Sequence, residues 1–477
     1  MEQSLAQLSI TEAAKKMQAG EITSVDLTRA CLVEIQKRNA SLNAYLEVFD
    51  DAEERAKAAD ARRAQGESGA LLGIPLAIKD NILIEGRVAS ASSKMLENYT
   101  ATYDATVIKK LKDAGVVFLG RTNMDEFALG GSTENSAFGV TKNPRDERRV
   151  AGGTSGGSAA AVAAHMALGA LGSDTGGSVR NPASFCGVVG LKPTYGAVSR
   201  MGLMAAVSSF DQVGPLTKTV ADAELLFEAL RGQDPLDSTS APSNQYAKRT
   251  LRKKIGVPRH LLAEGVDAGV RAAFDQTLAE MEKQGFEVVE VTLPSLSFAL
   301  AAYYITNFAE VSSNLSRFDG VRYGLSQKGD SLFADYAKSR GEGFGAEARR
   351  RIMLGTYVLS AGYYDAYYGK ATAARAQLTA ELSAVLESVD AIATPTMPSP
   401  AFVIGEKSDP LSMYVADIFT VTANLTGNPA ISVPMREVSA GEAKLPVGIQ
   451  FIAAHGDESA LFALGAVVES ISTVRSE

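Results

Sequence analysis

The sequence contains few of the residues on which metal sites and disulfides depend. Its 477 residues include two cysteines, three histidines and no tryptophan. The cysteines, Cys31 and Cys186, lie far apart and outside the CxxC spacing of zinc and redox sites, so a disulfide framework is excluded and no metal site is expected. The scarcity of histidine also argues against a histidine-based catalytic triad. If the protein is a hydrolase, we expect its general base to be another residue.

Long apolar runs and an excess of positive charge are also missing. The longest weakly polar stretch, residues 159–172, is mostly Ala and Gly interrupted by His165, and it is too short to span a bilayer. The N-terminus has no apolar segment after a basic start, so we expect no membrane segment and a cytoplasmic location. A formal net charge of -8 gives no overall field that favours nucleic acid. Any RNA partner would need a local patch or another subunit.

Enough hydrophobic sequence is present for a large core, since 46% of the residues are hydrophobic and 21% are charged. Residues 10–63 predict helices, which gives a helical N-terminal segment at about 1–65. From Gly73 onward, short apolar runs alternate with helical windows, a pattern typical of an α/β fold with a mixed sheet covered by helices on both faces. No repeat or long linker divides the chain. We therefore expect a single large domain over 1–477, with a polar surface connection at about 232–254.

The predicted elements follow from runs of apolar residues and from helical periodicity. The predicted strands are 74–78, 116–120, 188–192, 254–258, 286–291, 389–395, 430–434 and 447–454. The predicted helices are 106–114, 157–171, 220–230, 268–284 and a longer helical stretch over 296–368.

The segment 151–180, AGGTSGGSAAAVAAHMALGALGSDTGGSVR, places loops of glycine and hydroxyl residues on either side of one alanine-rich helix. Such loops can be simple connections, phosphate cradles, or loops that present hydroxyls to a reaction centre. The phosphate interpretation is weak, because neither GxxxxGK[ST] nor GxGxxG is present here. In DTGGS, successive glycines let backbone N–H groups converge on an oxyanion, so Ser178 is a candidate nucleophile. The candidate oxyanion donors are the N–H groups of Thr175, Gly176 and Gly177.

A serine nucleophile needs a base, and the remaining choices are a carboxylate or a lysine held neutral. Lys79 fits the second choice, because it ends the apolar run IPLAI, where burial disfavours the ammonium form. Taken alone, a lysine that follows a strand is usually an ordinary solvent-exposed residue. Cys186 has apolar neighbours and is expected to be a buried, inert thiol. His165 is expected to be structural.

Together these residues resemble the amidase signature family, whose members combine a strand-end lysine with a GGSSGGS loop and a DTGGSxR loop. Lys79 lies in GIPLAIKDN, Ser178 lies in SDTGGSVR, and the first loop reads GGTSGGS. The resemblance implies the amidase signature fold and a Ser-Ser-Lys triad in which Thr154 replaces the middle serine. Because the hydroxyl is kept but a methyl group is added, either Thr154 or the neighbouring Ser155 relays the proton to Lys79.

Further segments resemble, within this family, the glutamine-hydrolysing subunits of tRNA-dependent amidotransferases. They are TNMDEFALGGSTENSAFG, AEVSSNLSRFDGVRYG, RRRIMLGTYVLSAGYYDAYY and NLTGNPAISVP. The resemblance implies that Tyr303, Arg351 and Asp417 hold glutamine. The arginine suits its α-carboxylate and the aspartate suits its α-ammonium.

The same resemblance implies the rest of the reaction and its partners. Ammonia from glutamine would convert glutamyl-tRNA(Gln) to glutaminyl-tRNA(Gln) on another subunit. No cofactor or metal is expected in this chain, whereas ATP and magnesium are expected on the partner. The expected assembly is a heterotrimer with subunits B and C, in which a partner holds most of the tRNA.

Two other interpretations stay open. A free-standing amidase for small or aryl amides would share the triad but would not need Tyr303, Arg351 and Asp417. A non-catalytic scaffold subunit, with a triad decayed at Thr154, would not need Lys79, and that residue is retained. The sequence leaves open whether aspartyl-tRNA is also served.

Overall fold

The structure is a computed structural model that describes residues 4–242, 250–262 and 265–473. Its described strands are β1 Tyr45–Val48, β2 Pro75–Lys79, β3 Val117–Thr122, β4 Lys142–Asn143, β5 Asp146–Val150, β6 Gly169–Asp174, β7 Val189–Lys192, β8 Gln212–Thr217, β9 Lys254–Val257, β10 Glu287–Glu290, β11 Ala391–Pro395, β12 Ala430–Pro434, β13 Val438–Ala440, β14 Ala443–Leu445 and β15 Gly448–Ala453. Its described α-helices are α1 Ile10–Gln18, α2 Ser24–Leu42, α3 Ala52–Ala64, α4 Thr106–Asp113, α5 Gly156–Ala163, α6 Arg180–Cys186, α7 Val220–Leu230, α8 Ala268–Lys283, α9 Leu296–Asn314, α10 Leu332–Gly343, α11 Ala346–Val358, α12 Lys370–Leu386, α13 Pro410–Val415, α14 Val421–Thr426 and α15 Glu458–Thr473.

One mixed sheet of eleven strands organises the molecule, in the order β1-β3-β2-β6-β8-β7-β12-β15-β11-β9-β10. Strands β3, β2 and β6 are parallel to one another, and so are β11, β9 and β10. The strands between these two groups pair antiparallel, and β1 pairs antiparallel with β3 at the edge. The predicted α/β fold with a large mixed sheet flanked by helices is confirmed.

The central strands are covered on both faces. Every residue of β2, β6, β7, β8 and β15 is buried. Because consecutive strand residues point to opposite sides of a sheet, such full burial requires packing on each side. Helix α5 packs against β2 and β6, and α15 packs against β12 and β15.

The N-terminal segment is mostly helical, as predicted for about 1–65. Ser9 and Glu12 form a reciprocal capping box at the start of α1. The prediction is wrong at β1, which interrupts the helices. Helix α2 ends where Asn43 adopts a left-handed conformation, and the chain then pairs with β3 along the open edge of the sheet.

The predicted helix 157–171 is wrong in its second half. Helix α5 ends at Ala163, His165 adopts a φ of 60°, and the chain enters the sheet as β6. Alanine favours a helix locally, but this segment becomes strand β6 because it pairs with β2 on one side and β8 on the other. The small residues fit there because a Cβ at Gly169 would lie 3.0 Å from Ile10 and 3.2 Å from Leu76.

Two other predicted segments differ in detail. The stretch 296–368 contains α9, α10 and α11, with non-helical chain over 318–331. The polar connection at 232–254 lies partly outside the described chain, which omits 243–249, and its last residue begins β9. Among the described helices, none combines the length and the apolar character needed to cross a membrane.

The segments that carry the candidate catalytic residues lie at the same end of the parallel strands. Because β3, β2 and β6 are parallel, their carboxyl ends lie side by side. Lys79 is the last residue of β2, and Asp174 is the last residue of β6, directly before the loop that carries Ser178. Ligand sites in sheets of this kind form outside the carboxyl ends of the strands.

Candidate active site

Lys79 is fully buried at the end of β2, where hydroxyl and carbonyl oxygens surround its amine. Its Nζ atom lies 2.7 Å from Thr154 Oγ1, 2.8 Å from Ser155 Oγ, 2.9 Å from Ser173 Oγ and 3.2 Å from the Ser173 carbonyl oxygen. Burial lowers the pKa of Lys79 to about 7, although nearby carboxylates, Asp125 first among them, oppose the shift. Burial therefore disfavours the ammonium form of Lys79, as expected for a lysine at this strand end; its role as a base stays a prediction.

The GGTSGGS loop is glycine-rich because other chain segments pass close to it. A Cβ at Gly153 would overlap the backbone of Gly131, and one at Gly157 would overlap the carbonyl oxygens of Asn123 and Ala44. The peptide bond between Gly153 and Thr154 is cis. This close packing brings both loop hydroxyls against Lys79.

The hydroxyls of Thr154 and Ser155 differ in their other partners. Ser155 Oγ also donates to the Ser173 carbonyl at 3.2 Å and accepts from the Ser173 N–H at 3.3 Å. Thr154 Oγ1 contacts no hydrogen-bond partner other than Lys79 within the described chain. Thr154 therefore retains hydrogen-bonding capacity for a further group, whereas Ser155 is tied to β6.

The loop that carries Ser178 is fixed by an internal ion pair. Asp174 and Arg180 are both fully buried and form a bidentate pair with two 2.9 Å hydrogen bonds. Arg180 also donates to the Thr420 carbonyl and to Gln450. Burial raises the pKa of Asp174, but the Arg180 charge and hydrogen bonds outweigh it and hold that pKa well below its usual range. Arg180 therefore supports the loop.

Asp174 also engages one of the three N–H groups predicted to bind an oxyanion. Its Oδ1 atom accepts the Gly177 N–H at 2.9 Å. The N–H groups of Thr175 and Gly176 have no such partner in the described structure, and the Thr175 hydroxyl donates to Asp211 at 2.7 Å. The predicted oxyanion role therefore narrows to Thr175 and Gly176.

Ser178 lies at the base of a pocket and is 7% exposed. Its carbonyl oxygen accepts the Ser155 N–H at 3.1 Å, which joins the two loops. In the described residues its hydroxyl makes no hydrogen bond, so a link to Thr154 is not formed in this conformation. Catalytic hydrogen bonds often tighten only when substrate is bound.

The pocket unites the residues that the sequence had placed at separate points of the chain. Its walls are Ala128, Gly130, Gly153, Gly176, Gly177, Ser178, Asn181, Tyr303, Tyr304, Arg351 and Asp417. The predicted nucleophile and all three predicted glutamine-binding residues are in this set.

Arg351 is the buried member of its arginine run. Arg349 and Arg350 are exposed on α11, whereas Arg351 is 4% exposed. Its Nε donates to Glu347 at 2.8 Å and its Nη1 donates to Asn307 at 3.1 Å. Burial opposes the charge, but Glu347 raises the pKa of Arg351 above its usual value. A permanent positive charge therefore faces the pocket.

Asp417 supplies the opposite charge. Its Oδ2 atom accepts the Tyr304 hydroxyl at 2.7 Å. Burial raises the pKa of Asp417 to about 7, against the opposing effects of Tyr304 and Arg351. A cation bound beside it would favour the ionised form.

The tyrosines of α9 shape the same wall. A Cβ at Gly176 would overlap the Tyr303 hydroxyl, so Tyr303 lies directly against the nucleophile loop. The Tyr304 ring packs edge to face against the Tyr303 ring, with the ring centroids 5.0 Å apart. It also stacks on the Tyr414 ring at a centroid distance of 4.2 Å. Tyr304 was not among the residues predicted from the sequence. The only available signal was its position beside Tyr303 in AAYYITN.

Cys186 and His165, which were not expected to be catalytic, lie outside the pocket lining, Cys186 in the core and His165 only partly buried. Burial raises the pKa of Cys186 to about 12, and its Sγ contacts the Ala151 carbonyl at 3.3 Å, which fits an inert thiol. Burial lowers the pKa of His165 to about 4 at the end of α5. In the described part of the chain, no group of three or more His, Cys, Asp or Glu side chains could hold a metal ion.

Comparison with known proteins identifies relatives over almost the whole length. The Amidase family pattern matches residues 26–462. The A subunit of glutamyl-tRNA(Gln) amidotransferase from Desulfatibacillum aliphaticivorans is 50% identical over 470 residues, with 97% of this chain and 96% of the relative covered. The protein of the same name from Carboxydothermus hydrogenoformans is 49% identical, with 95% of each chain covered.

Solved structures agree with this assignment. The crystal structure of the A subunit of glutamyl-tRNA(Gln) amidotransferase from Thermotoga maritima is 41% identical, with a TM-score of 0.78 over 97% of this chain and 94% of that chain. The native peptide amidase from Stenotrophomonas maltophilia is 30% identical, with a TM-score of 0.81 over 98% and 97%. The chain therefore belongs to the amidase family, on the branch of the glutamyl-tRNA(Gln) amidotransferase A subunits.

Proposed function

We propose that the chain hydrolyses glutamine and that the ammonia converts glutamyl-tRNA(Gln) to glutaminyl-tRNA(Gln). The observation that carries this proposal is a single pocket in which Ser178 faces both a buried arginine and a buried aspartate. Opposite charges of this kind suit the α-carboxylate and α-ammonium groups of an amino acid. The names of the close relatives support the same assignment.

In the proposed chemistry, neutral Lys79 is the base. It takes a proton from Thr154, which takes the Ser178 proton as Ser178 Oγ bonds to the side-chain amide carbon of glutamine. The Thr175 and Gly176 N–H groups stabilise the resulting oxyanion. The C–N bond then breaks, the proton on Lys79 returns through the relay to the leaving nitrogen, and ammonia departs. Water hydrolyses the glutamyl ester, which releases glutamate and restores Ser178.

Substrate orientation comes from the opposite wall. Arg351 binds the α-carboxylate, Asp417 binds the α-ammonium, and Tyr303 packs between them and the nucleophile loop. The bound amino acid is thereby held by its head while its amide reaches Ser178. This arrangement distinguishes glutamine from amides that lack charged groups.

We further propose partner subunits B and C, with ATP, magnesium and most of the tRNA held by a partner in the cytoplasm. The relatives are named as one subunit of an amidotransferase, which supports an assembly. The net charge of -8 agrees with tRNA held elsewhere. Exposed Met353, Tyr357 and Tyr364 agree with a chain that covers part of its surface with another protein.

Substrate preference tests this proposal. The protein, co-purified with its partners, should release ammonia from glutamine far faster than from butyramide, which has the same side chain without the charged groups. Arg351→Ala and Asp417→Ala should each lower kcat/KM for glutamine by about 10²-fold or more, because each leaves a substrate charge unpaired in the pocket. Both should leave butyramide hydrolysis nearly unchanged.

The exposed neighbour Arg349 provides the matched control. Arg349→Ala removes the same charge from α11 and should leave glutamine hydrolysis at the wild-type rate. A wild-type preference for butyramide would contradict the proposal and would favour the free-standing amidase. An absence of hydrolysis in the intact complex would favour the scaffold interpretation.

A further inference from the structure

Glu347 lies directly behind Arg351 on α11. The two residues are one helical turn apart, and Glu347 Oε1 accepts Arg351 Nε at 2.8 Å. Asn307 holds Nη1, while Nη2 has no partner among the described residues. The Glu347 and Asn307 contacts fix the plane of the guanidinium, and Arg351 lines the pocket with Nη2 still available for a ligand.

The same carboxylate oxygen also accepts a hydrogen bond from a different element. Tyr414, on α13, donates its hydroxyl to Glu347 Oε1 at 2.8 Å. Burial raises the pKa of Glu347, but Arg351 and Tyr414 outweigh this effect and the pKa stays below its usual value. Glu347 therefore remains an ionised acceptor for both groups.

Tyr414 connects the two ends of the glutamine site. Its ring stacks on Tyr304 at a centroid distance of 4.2 Å, and Tyr304 donates to Asp417 at 2.7 Å. The Arg351 guanidinium lies 5.4 Å from the Tyr414 ring centroid. A continuous set of contacts thus runs from Arg351 through Glu347, Tyr414 and Tyr304 to Asp417.

Helix α13 is partly exposed, although Met413 packs against the apolar cluster that contains Phe185 and Phe402. Leu411 is 66% exposed and Val415 is 46% exposed. Among the side chains of α13 in the described structure, only Tyr414 forms a hydrogen bond to another element.

We infer that Glu347 is a positioning residue for Arg351 and that Tyr414 holds the Glu347 carboxylate in place through its hydroxyl. This inference rests on the proposed function, since it concerns binding of the same amino acid. Without the Tyr414–Glu347 hydrogen bond, Arg351 is held less firmly in the orientation that binds the α-carboxylate of glutamine. Glu347 and Tyr414 touch neither Ser178 nor the reacting amide, so they act on binding and not on the chemical step.

The test separates binding from chemistry in the protein co-purified with its partners. Tyr414→Phe keeps the stacked ring but removes the hydroxyl, and it should raise the KM for glutamine about 10-fold with little change in kcat. Glu347→Ala should raise KM further, and Glu347→Gln should recover part of the loss, because the amide oxygen still accepts hydrogen bonds. Hydrolysis of butyramide should stay at the wild-type level in all three variants.

Two exposed residues supply matched controls. Tyr103→Phe and Glu342→Gln make the same chemical changes away from the pocket and should leave both substrates unaffected. An unchanged KM in both Tyr414→Phe and Glu347→Gln would overturn the inference. Equal losses with glutamine and butyramide would also overturn it, because they indicate a general structural role. A wild-type complex that does not hydrolyse glutamine would instead refute the proposed function itself.

Discussion

Lys79 shows how burial converts an ordinary cation into a candidate base. A fully buried amine loses the hydration that stabilises its charge, and three carboxylates in the neighbourhood restore only part of that loss. The surrounding hydroxyls of Thr154, Ser155 and Ser173 can both accept from and donate to a neutral amine. The site therefore holds a lysine that can accept a proton near pH 7.

The identity of the relay hydroxyl can be tested by shape-matched substitution. Thr154→Val keeps the side-chain shape without the hydroxyl, and it should slow ammonia release by about 10²-fold or more, the scale of a positioned proton transfer. Thr154→Ser should keep most of the activity. Ser155→Ala should matter less, because the Ser155 hydroxyl is already committed to Ser173. Steady-state rates with glutamine provide the measurement.

Other outcomes of that series would revise the relay. An active Thr154→Val with an inactive Ser155→Ala would assign the relay to Ser155. Unchanged rates in both variants would show that Lys79 acts directly or through water.

The pH dependence should differ between the two substrates. Lys79, with a pKa of about 7, must be neutral to act as a base, so activity rises as pH increases through 7. Asp417, also with a pKa of about 7, must be ionised to bind the α-ammonium, which adds a second dependence of the same sign. Below pH 7 the logarithm of kcat/KM should therefore rise with a slope approaching about two for glutamine and about one for butyramide.

Asp417→Asn supplies the control for this profile. It should reduce the glutamine slope to about one and leave the butyramide profile unchanged. Identical slopes for both substrates in the wild type would contradict the role assigned to Asp417.

Residues within short motifs were predictable, and residues that meet through tertiary packing were not. Lys79 and Ser178 stand in local patterns, IPLAIK and DTGGS, whose chemistry can be argued from neighbours in the chain. Glu347 and Tyr414 meet only because α11 and α13 pack together, so no local pattern indicated them. The Gly177 N–H was predicted to be free, but the side chain of Asp174 turns back to accept it.

At the scale of elements, pairing within the sheet outweighs the local preference for a helix in two segments. The run 164–172 is rich in alanine, which favours a helix, yet its second half fills the gap between β2 and β8. The segment Tyr45–Val48 lies among strong helix formers, yet it pairs with the exposed edge of β3. Strands 74–78 and 188–192 were predictable because their apolar runs are short and bounded by glycine or proline.

Helix α11 gathers the binding functions, and its burial pattern explains how. Glu347 and Arg351 are one turn apart on the face toward α9 and the pocket, whereas Arg349 and Arg350 are exposed and Arg350 pairs with the other oxygen of Glu347. A charge run in the sequence therefore contains one buried residue among exposed ones. The periodicity of the helix decides which residue it is, but locating the face required the structure.

At the scale of the whole molecule, the order of strands determines where catalysis can occur. The parallel group β3-β2-β6 presents its carboxyl ends to one side, where the end of β2 carries Lys79 and the loop after β6 carries Ser178. Helices α9 and α11 add the opposite wall with Tyr303 and Arg351. That residues 1–477 form one folding unit stays a prediction.

The most direct measurement of the central claim is the location of the acyl group during turnover. The co-purified complex is mixed with glutamine, quenched in acid within the first turnover, digested and examined by mass spectrometry. We expect a glutamyl ester on the peptide that contains Ser178, and none in Ser178→Ala or Lys79→Ala. A glutamyl group on Cys186, or ammonia release at the wild-type rate by Ser178→Ala, would contradict the account.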